Sequence, residues 1–295
     1  MSFFFAHDSR PTYRWTRTIG FRHLTKTTHR TQYPATEPTI YLNSTTGNAV
    51  VISGVAIGIG YAIASDFSAE GAATVVLLMH RTKAPKETST NLNAENAAAK
   101  RNTAVSTYPL DMRDTAATNS VFHAVRKRLV RDAFGRTVLG DMNVVRTFLK
   151  PETLFIPLAS MNDIAKSTSS TKVPTQEKVI VDVSSVAAHL ALPGLAAYIG
   201  SKLAFHMRDA AASQRGCFHA GTLCMPAARR NEMKEHTMEC DDESLPADFA
   251  VWLASPAADS LKGRFLPSAW DVEELLAMRR KFEEDPELCV VTLKY

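Results

Sequence analysis

The stretch AVVISGVAIGIGYAIA, from Ala49 to Ala64, contains no charged residue and decides how the rest of the chain is interpreted. One architecture for it is a membrane helix, in which Gly54 and Gly58 would form a helix-pairing G-x-x-x-G motif. Its sixteen residues fall short of the ~20 that span a bilayer, so this is the weaker alternative. The other architecture is a buried strand, a glycine turn and a helix.

A change of pattern within the stretch favours the second architecture. Ala49 to Ser53 is a β-branched run, and Gly54 ends it. From Ile59 onward, apolar side chains recur at helical spacing until Gly71 stops the helix. A second apolar run, Thr74 to Met79, follows at once, so the order predicts a βαβ unit whose two strands are both buried.

The same alternation continues along the chain and predicts an α/β fold with one Rossmann-like, doubly wound, mostly parallel sheet flanked by helices. Four further segments show strand or helix patterns: Thr103 to Leu110 (strand), Thr115 to Phe134 (helix), Val179 to Ser184 (strand) and Tyr198 to Ser213 (helix). We therefore expect a basic, flexible N-terminal tail at 1–44, a nucleotide-binding domain at 45–270 and a C-terminal helical extension at 271–295.

The distribution of charge argues against nucleic acid as a partner. The chain has 295 residues, with 34 Lys and Arg against 30 Asp and Glu. Residues 1–36 hold six basic residues and one acid, so the remainder is close to neutral and offers no basic face. The basic, acid-poor start is typical of a flexible tail or of a mitochondrial transit peptide, so we expect a cytoplasmic protein, with the mitochondrion as the alternative.

The four cysteines lie in the last third of the chain, without a C-x-x-C pair or a histidine at zinc-site spacing. We therefore expect no bound metal and a reducing compartment. The protein's ligands would then be organic molecules.

Gly54, Gly58 and Gly60 lie where the predicted strand turns into the predicted helix, which is the position of a phosphate-binding loop. Glycines there let backbone N–H groups approach a pyrophosphate, and the helix N-terminus favours the anion. The spacing is G-x-x-x-G-x-G, not the G-x-G-x-x-G of the commonest dinucleotide fold. A tight structural turn is therefore the alternative.

A second constellation lies at the end of a predicted strand and on the helix after it. Ser185 follows the strand, and Lys202 follows Tyr198 by four residues, which places the phenol and the ammonium on one helix face. A nearby ammonium favours the phenolate and so makes a phenol useful in proton transfer. A serine hydroxyl can donate a hydrogen bond to a substrate carbonyl oxygen and polarise it.

These residues resemble the short-chain dehydrogenase/reductase family, and in particular a poorly characterised branch abundant in fungi. The resemblance spans about residues 25–285. It rests on SGVAIGIG (Ser53 to Gly60), Asp111-Met112, VDVSSVAAHLALPGLAAYIGSK (Val181 to Lys202) and FAVWLASPAADSLKGRF (Phe249 to Phe265).

The resemblance implies an oxidoreductase that interconverts a small-molecule alcohol and a carbonyl compound by hydride transfer. It implies that Tyr198 is the general acid/base and that Lys202 favours the phenolate and holds the ribose. It also implies that Ser185 orients the substrate and that Asn143 holds a water for proton relay. Members of the family form dimers through the helices that contain Asn143 and Tyr198, so the resemblance implies a homo-oligomer.

The end of the second strand indicates the form of the cofactor. Enzymes that use NAD usually have an acid there, which accepts a hydrogen bond from the ribose 2′-OH. This chain instead reads Met79-His80-Arg81, and a guanidinium suits a 2′-phosphate, so we expect NADP, with NAD as the alternative. The expected cofactor-binding residues are Ser53, Gly54, Ile57, Gly58, Ile59, Gly60, Arg81, Asp111, Met112, Tyr198 and Lys202.

The chain departs from the family between Arg136 and Asn143. The family has a strand, an N-N-A-G motif and the start of a long helix there, and this chain has six residues. The central fourth strand must then come from Thr137 to Leu139 or be lost. The alternative function is therefore a catalytically silent protein with an incomplete nucleotide fold, which would be an interaction protein or the product of a defective gene model.

Overall fold

The computed structural model describes residues 24–41, 46, 48–55, 58–79, 84–114, 116–121, 179–189, 198–200, 202–203, 216–223 and 240–290. In it, the uncharged stretch forms strand β1 (Ala49–Ser53) and the start of helix α1 (Ile59–Ala69), and strand β2 (Thr74–Met79) follows. The strand–turn–helix prediction is confirmed. None of the helices described is long and apolar enough to cross a membrane.

β2 is the middle strand of a three-stranded parallel sheet. It pairs with β1, where Val51 lies opposite Val76, and with β3 (Ala104–Pro109), where Val76 lies opposite Ser106. All six residues of β2 are buried, because strands flank it on both sides and helices cover its faces. This burial explains its unbroken apolar sequence.

Helix α2 (Ala84–Ala98) connects β2 to β3, and the sequence pattern did not reveal it. Its sequence, APKETSTNLNAENAA, is mostly polar, has Leu92 as its only large apolar residue and shows no apolar stripe. Leu92 is fully buried and is the main apolar anchor of the helix against the sheet. A mostly solvated helix of this kind gives little periodic signal.

A second three-stranded parallel sheet is formed by the later part of the chain. Its strands are β4 (Asp182–Ser184), β5 (Cys217–His219) and β6 (Phe265–Pro267), and β5 lies in the middle. Val183, Phe218 and Leu266 are opposite one another, and all three belong to or pack against the main hydrophobic core. Asp182, Ser184, Cys217 and His219 share the other face.

Helix α3 (Ser244–Ala254) joins the two sheets into one core. Its residues from Leu245 to Leu253 are all buried, and it packs against α1. Trp252 is fully buried and its ring lies 5.2 Å from that of Phe249, as expected for a core residue. Side chains of both sheets, including Ile52 of β1, pack in the same cluster as this helix.

The two sheets are not hydrogen-bonded to each other through any strand in the described part of the chain. Within it, β1 pairs with β2 and β4 pairs with β5. β1 is only partly buried over most of its length, whereas β2 is fully buried. Thr137 to Leu139, from which a fourth strand could come, lie outside the described residues, so the loss of that strand stays a prediction.

Residues 24–41, called the N-terminal strap below, pack on the folded unit. The strap forms two 3-10 helices, Pro34–Thr36 and Pro38–Tyr41, which lie against α3. Thr25 and Thr36 are buried. The expectation of a flexible tail is thus wrong for residues 24–41, because composition does not show side-chain contacts with distant parts of the chain. Residues 1–23 lie outside the described residues.

The C-terminal region contains the short helices α4 (Val272–Ala277) and α5 (Arg279–Glu284). Asp271 caps α4, and its carboxylate accepts a hydrogen bond from the backbone N–H of Glu274 at 2.9 Å. Cys217 and Cys289 are not part of a disulfide, whereas Cys240 is in one. The disulfide differs from the sequence-based expectation of reduced cysteines.

A pair of hydrogen-bonded carboxyl groups lies between α1 and α3. Asp66 and Asp248 face each other, and Oδ2 of each is buried without a hydrogen-bond donor in the described structure. Burial, and then the neighbouring carboxyl group, raise the pKa of Asp66 well above its ordinary value. The charge of Arg101 lowers the pKa of Asp66, whereas the charge of Glu95 raises it. The charge of Glu37 raises the pKa of Asp248.

Asp66→Asn should make the free energy of unfolding less dependent on pH. The folded state of the unmutated chain holds a proton that the unfolded state releases above pH ~4, so its stability falls as pH rises through neutrality. The variant has no such proton to lose, and its Tm should exceed that of the parent at alkaline pH. Thermal unfolding followed by circular dichroism from about pH 5 to about pH 9 measures this.

The matched control is Glu284→Gln, which removes a carboxylate with an exposed side chain from α5. This control should keep the pH dependence of the parent. Equal slopes of Tm against pH in the Asp66 variant and the parent would show that the pair does not share a proton.

Candidate active site

The parallel strands place their carboxyl ends at one edge of each sheet, where α/β proteins bind their ligands. β1 ends at Ser53, β4 ends at Ser184 and β5 ends at His219. The glycine turn follows the first of these strands and Ser185 follows the second. Both constellations found in the sequence are therefore at carboxyl ends.

The glycine turn uses backbone conformations that favour glycine. Gly54 has a φ of 76° and Gly58 has a φ of 69°, both in the left-handed region. The N–H of Gly54 donates to the carbonyl oxygen of Leu78 at 3.2 Å, which holds the start of the turn on β2. Gly58 is the N-cap of α1, so the N-terminus of this eleven-residue helix begins at the turn.

The third glycine of the turn, Gly60, lies where the backbone leaves no room for a side chain. A Cβ at this position would lie 2.7 Å from the carbonyl oxygen of Gly54 and 3.0 Å from the Cα of Val55. No side chain fits there without moving backbone, so α1 lies as close to the end of β1 as a helix can. This arrangement fits a dinucleotide, because it presents the N-terminus of a helix beside a strand end to a pyrophosphate.

Ser185 is held at the start of a short 3-10 helix, Val186–His189. Its side chain is buried, and its Oγ accepts a hydrogen bond from the N–H of Ala187 at 3.2 Å. Its carbonyl oxygen accepts from the N–H of Ala188 at 3.0 Å. Because the hydroxyl oxygen is used as an acceptor, the O–H bond can donate to a substrate oxygen.

Lys202 reaches the strand that precedes Ser185. Its Nζ donates to the carbonyl oxygen of Val183 at 2.6 Å. Tyr198 lies one helical turn before Lys202 and is 45% exposed, so its ring is open to solvent and to a ligand. The structure thus brings Lys202 and Ser185 to the same strand end.

Asp182 is the residue of this region that sequence reasoning missed. Its Oδ2 is buried with no hydrogen-bond partner in the described structure. Burial raises the pKa of Asp182 to about 6, and the charge of Lys202 opposes the shift. A carboxylate within the otherwise apolar run VIVDV was the signal available in the sequence.

His219 lies on the same sheet face, at the carboxyl end of β5. Burial and, to a smaller extent, the neighbouring His189 lower the pKa of His219 to about 4. Both imidazoles are therefore neutral at neutral pH, since burial also lowers the pKa of His189. The residues described contain no group of three side chains able to hold a metal ion.

The residues expected beside the adenine follow β3. The carboxylate of Asp111 accepts a hydrogen bond from the backbone N–H of Arg113 at 3.0 Å and from its guanidinium at 2.9 Å. Met112 is buried against Val76 and Leu78 on one face of the first sheet. Three expected site residues, Ile57, Arg81 and Asn143, lie outside the described residues.

Known proteins that are similar to this chain in sequence are short chain dehydrogenases. The family model for short chain dehydrogenases matches residues 48–133. The chain is 26% identical over 281 residues to the short chain dehydrogenase/reductase nsrO of Aspergillus novofumigatus, covering 84% of this chain and 89% of that protein. It is 29% identical over 295 residues to the short chain dehydrogenase citE of Monascus ruber, covering 92% and 96%.

Solved structures share the fold. A 3-oxoacyl-[acyl-carrier protein] reductase from Brucella melitensis superimposes with a TM-score of 0.57 at 18% identity, over 85% of this chain and 99% of that one. A short chain dehydrogenase from Pseudomonas syringae superimposes with a TM-score of 0.52 at 17% identity, over 76% and 95%.

The helix-flanked parallel sheets and the glycine turn define a Rossmann-like α/β fold. In sequence and in fold the chain resembles the short-chain dehydrogenases/reductases, a family of NAD(P)-dependent oxidoreductases.

Gly60→Ala should destabilise the protein by ~1–3 kcal/mol, because the new Cβ forces α1 away from β1. Chemical denaturation measures the loss. The matched control is Gly200→Ala, where no heavy atom lies within 4 Å of the new Cβ. In that helix alanine should be neutral or stabilising, by up to ~1 kcal/mol. Equal stability of the two variants would contradict the close packing described for Gly60.

Proposed function

We propose that this protein is an NADP-dependent oxidoreductase that interconverts an alcohol and a carbonyl compound by hydride transfer. The proposal depends on one observation above all: the Lys202 ammonium lies on the backbone of β4, directly before Ser185. Tyr198 is one turn from Lys202 on the same helix face. The three side chains expected to act at the substrate oxygen are thus Ser185, directly after β4, and two side chains of the helical turn that is bonded to β4.

In this mechanism the bound nucleotide would supply a hydride to the carbonyl carbon. The side chains of the protein would bind the carbonyl oxygen and transfer a proton to it. Ser185 would donate a hydrogen bond to the carbonyl oxygen and polarise the C=O bond. Tyr198 would donate its phenolic proton to the same oxygen as negative charge develops there, which completes the alcohol. In the opposite direction, Tyr198 would accept that proton.

Lys202 would favour the phenolate form of Tyr198 by its positive charge. Its bond to the Val183 carbonyl supports a positioning role, because it ties the helical turn to β4. Asn143 would complete the site by holding a water for proton relay. We also propose a homo-oligomer, as in the family, and a cytoplasmic location.

The preference for NADP over NAD rests on Arg81 after β2. A guanidinium can pair with the 2′-phosphate in a bidentate manner, and no acid is present there to accept a hydrogen bond from a 2′-OH. The glycine turn would bind the pyrophosphate of either nucleotide.

Titration with NADPH and with NADH, followed by cofactor fluorescence, tests this preference. We expect saturable binding of both, with the lower Kd for NADPH. Arg81→Gln should weaken NADPH binding about tenfold or more and leave NADH nearly unchanged, since a charged hydrogen bond is worth ~1.5–3 kcal/mol. Lys86→Gln removes a cation five residues later in the sequence and controls for general charge. Absence of saturable binding by both nucleotides would remove the oxidoreductase proposal.

Tyr198→Phe removes only the phenolic hydroxyl. We expect kcat to fall by a factor of ~10²–10⁴, which is the contribution of a general acid/base, while the Kd for NADPH barely changes. Steady-state turnover with a panel of carbonyl compounds measures kcat. Activity retained within about twofold of the parent would show that Tyr198 is not the proton donor.

Lys202→Met should behave differently from Tyr198→Phe. It should weaken NADPH binding as well as turnover, because the ammonium would contact the ribose. It should also lower Tm, since the bond to the Val183 carbonyl is lost. A variant with normal NADPH affinity would contradict the proposed contact with the ribose.

The second candidate is a catalytically silent protein that retains this fold for binding. One observation favours it: no strand in the described part of the chain joins the two sheets. Sequencing the transcript between Arg136 and Asn143 separates the candidates. A longer segment there would restore the family's central strand and favour the enzyme.

A further inference from the structure

Asp241 is bonded to two separate parts of the chain. Its Oδ2 accepts a hydrogen bond from the N–H of Thr222 at 2.6 Å, and its own N–H donates to the carbonyl oxygen of Thr222 at 2.7 Å. Its Oδ1 accepts from Nε of Arg30 at 3.0 Å. The side chain of Asp241 is only 10% exposed, so these partners largely replace water around the carboxylate.

Thr222 lies three residues after the end of β5, on the side of the sheet where the carboxyl ends of parallel strands bind ligands. Gly221 shows how closely Asp241 approaches this edge. It has a φ of 89°, and a Cβ there would lie 2.6 Å from Oδ2 of Asp241. The carboxylate thus holds the chain that leaves β5 in one backbone conformation.

Arg30 is held in place by the N-terminal strap, which is anchored on both sides of it. On one side, His29 bonds to Asp271 at 2.8 Å and its ring stacks on Tyr33 with centroids 3.5 Å apart. On the other side, the N–H of Asp242 donates to the carbonyl oxygen of Arg30 at 2.8 Å. The guanidinium therefore meets Asp241 from a fixed backbone.

The anchor of the strap on α4 is equally specific. The N–H groups of Lys26 and Thr27 donate to the two carboxylate oxygens of Glu274, at 2.7 Å and 3.0 Å. The hydroxyl of Tyr33 donates to the carbonyl oxygen of Trp270 at 3.2 Å and accepts from the N–H of Val272 at 3.0 Å. These contacts join the strap to the segment after β6.

We propose that Asp241 is a positioning residue, through which the N-terminal strap holds residues 220–223 in place for nucleotide binding. The inference rests on the proposed function, because it concerns the affinity of the same site. Arg30 fixes the carboxylate, the carboxylate fixes Thr222, and Thr222 fixes the backbone at the carboxyl end of β5. The nucleotide then binds an edge that is already ordered, and no ordering cost reduces its affinity.

Two variants test this relay of contacts, which runs from Arg30 through Asp241 to Thr222. Asp241→Asn keeps the shape of the side chain and removes its charge, and Arg30→Gln removes the cation. Hydrogen exchange at the Thr222 amide, followed by mass spectrometry of the free protein, should become about tenfold faster in the Asp241 variant and less so in the Arg30 variant. This readout needs neither nucleotide nor activity. Unchanged exchange in both variants would overturn the inference.

Nucleotide affinity is the second readout, measured at a temperature where every variant is folded. The Kd for NADPH should rise about 2- to 5-fold in Arg30→Gln, the size expected for a partly exposed ion pair, and more in Asp241→Asn. The double variant should be no weaker than Asp241→Asn alone, because both substitutions interrupt one relay. Lower Tm with unchanged Kd would show a merely structural role and overturn the inference.

Arg279→Gln and Glu283→Gln are the matched controls, since they break an Nε to carboxylate pair of 2.7 Å on the surface of α5. Both should leave exchange at Thr222 and the Kd for NADPH unchanged. The outcomes also separate the two proposals. If the parent binds no nucleotide, the proposed function fails, and the exchange measurement still decides whether the strap orders residues 220–223.

Discussion

The contact between Gly60 of α1 and the carbonyl oxygen of Gly54 is the constraint on which the rest of the first half depends. It leaves no space for a Cβ, so the helix begins directly at the end of β1. α1 in turn carries the apolar face that packs on α3 and completes the core. Both the glycine turn and the packing of α1 on α3 therefore follow from one close approach of backbone to backbone.

The second sheet has a different character, because polar groups lie on one of its faces. Asp182, Ser184 and His219 are adjacent there, and the Oδ2 and Oγ atoms of the first two are buried without a partner in the described structure. Burying such groups costs free energy, so a fold rarely tolerates them without a use. Their place beside Lys202 and Ser185 agrees with a reaction site at this sheet edge.

Much of the architecture was predictable from local pattern. β1 and β2 occupy the predicted residues, and β3 lies within the predicted Thr103 to Leu110. The prediction was strongest for β2, because a parallel strand that is buried on both faces has an unbroken apolar run. Helix α2 was missed because its exposed faces have no apolar period. The strap was missed for another reason. Its contacts join Lys26 to Glu274 and Arg30 to Asp241, and pairings across more than two hundred residues leave no trace in local composition.

The sequence by itself determined the βαβ unit, the glycine turn and the spacing of Tyr198 and Lys202, since each depends on neighbours along the chain. Only the tertiary structure decided that Lys202 bonds to the Val183 carbonyl, that the carboxyl groups of Asp66 and Asp248 lie together, and that Asp241 joins the strap to the chain after β5. Each of these depends on a distance between residues far apart in sequence. Such distances are set by how helices and sheets pack, which no local pattern encodes.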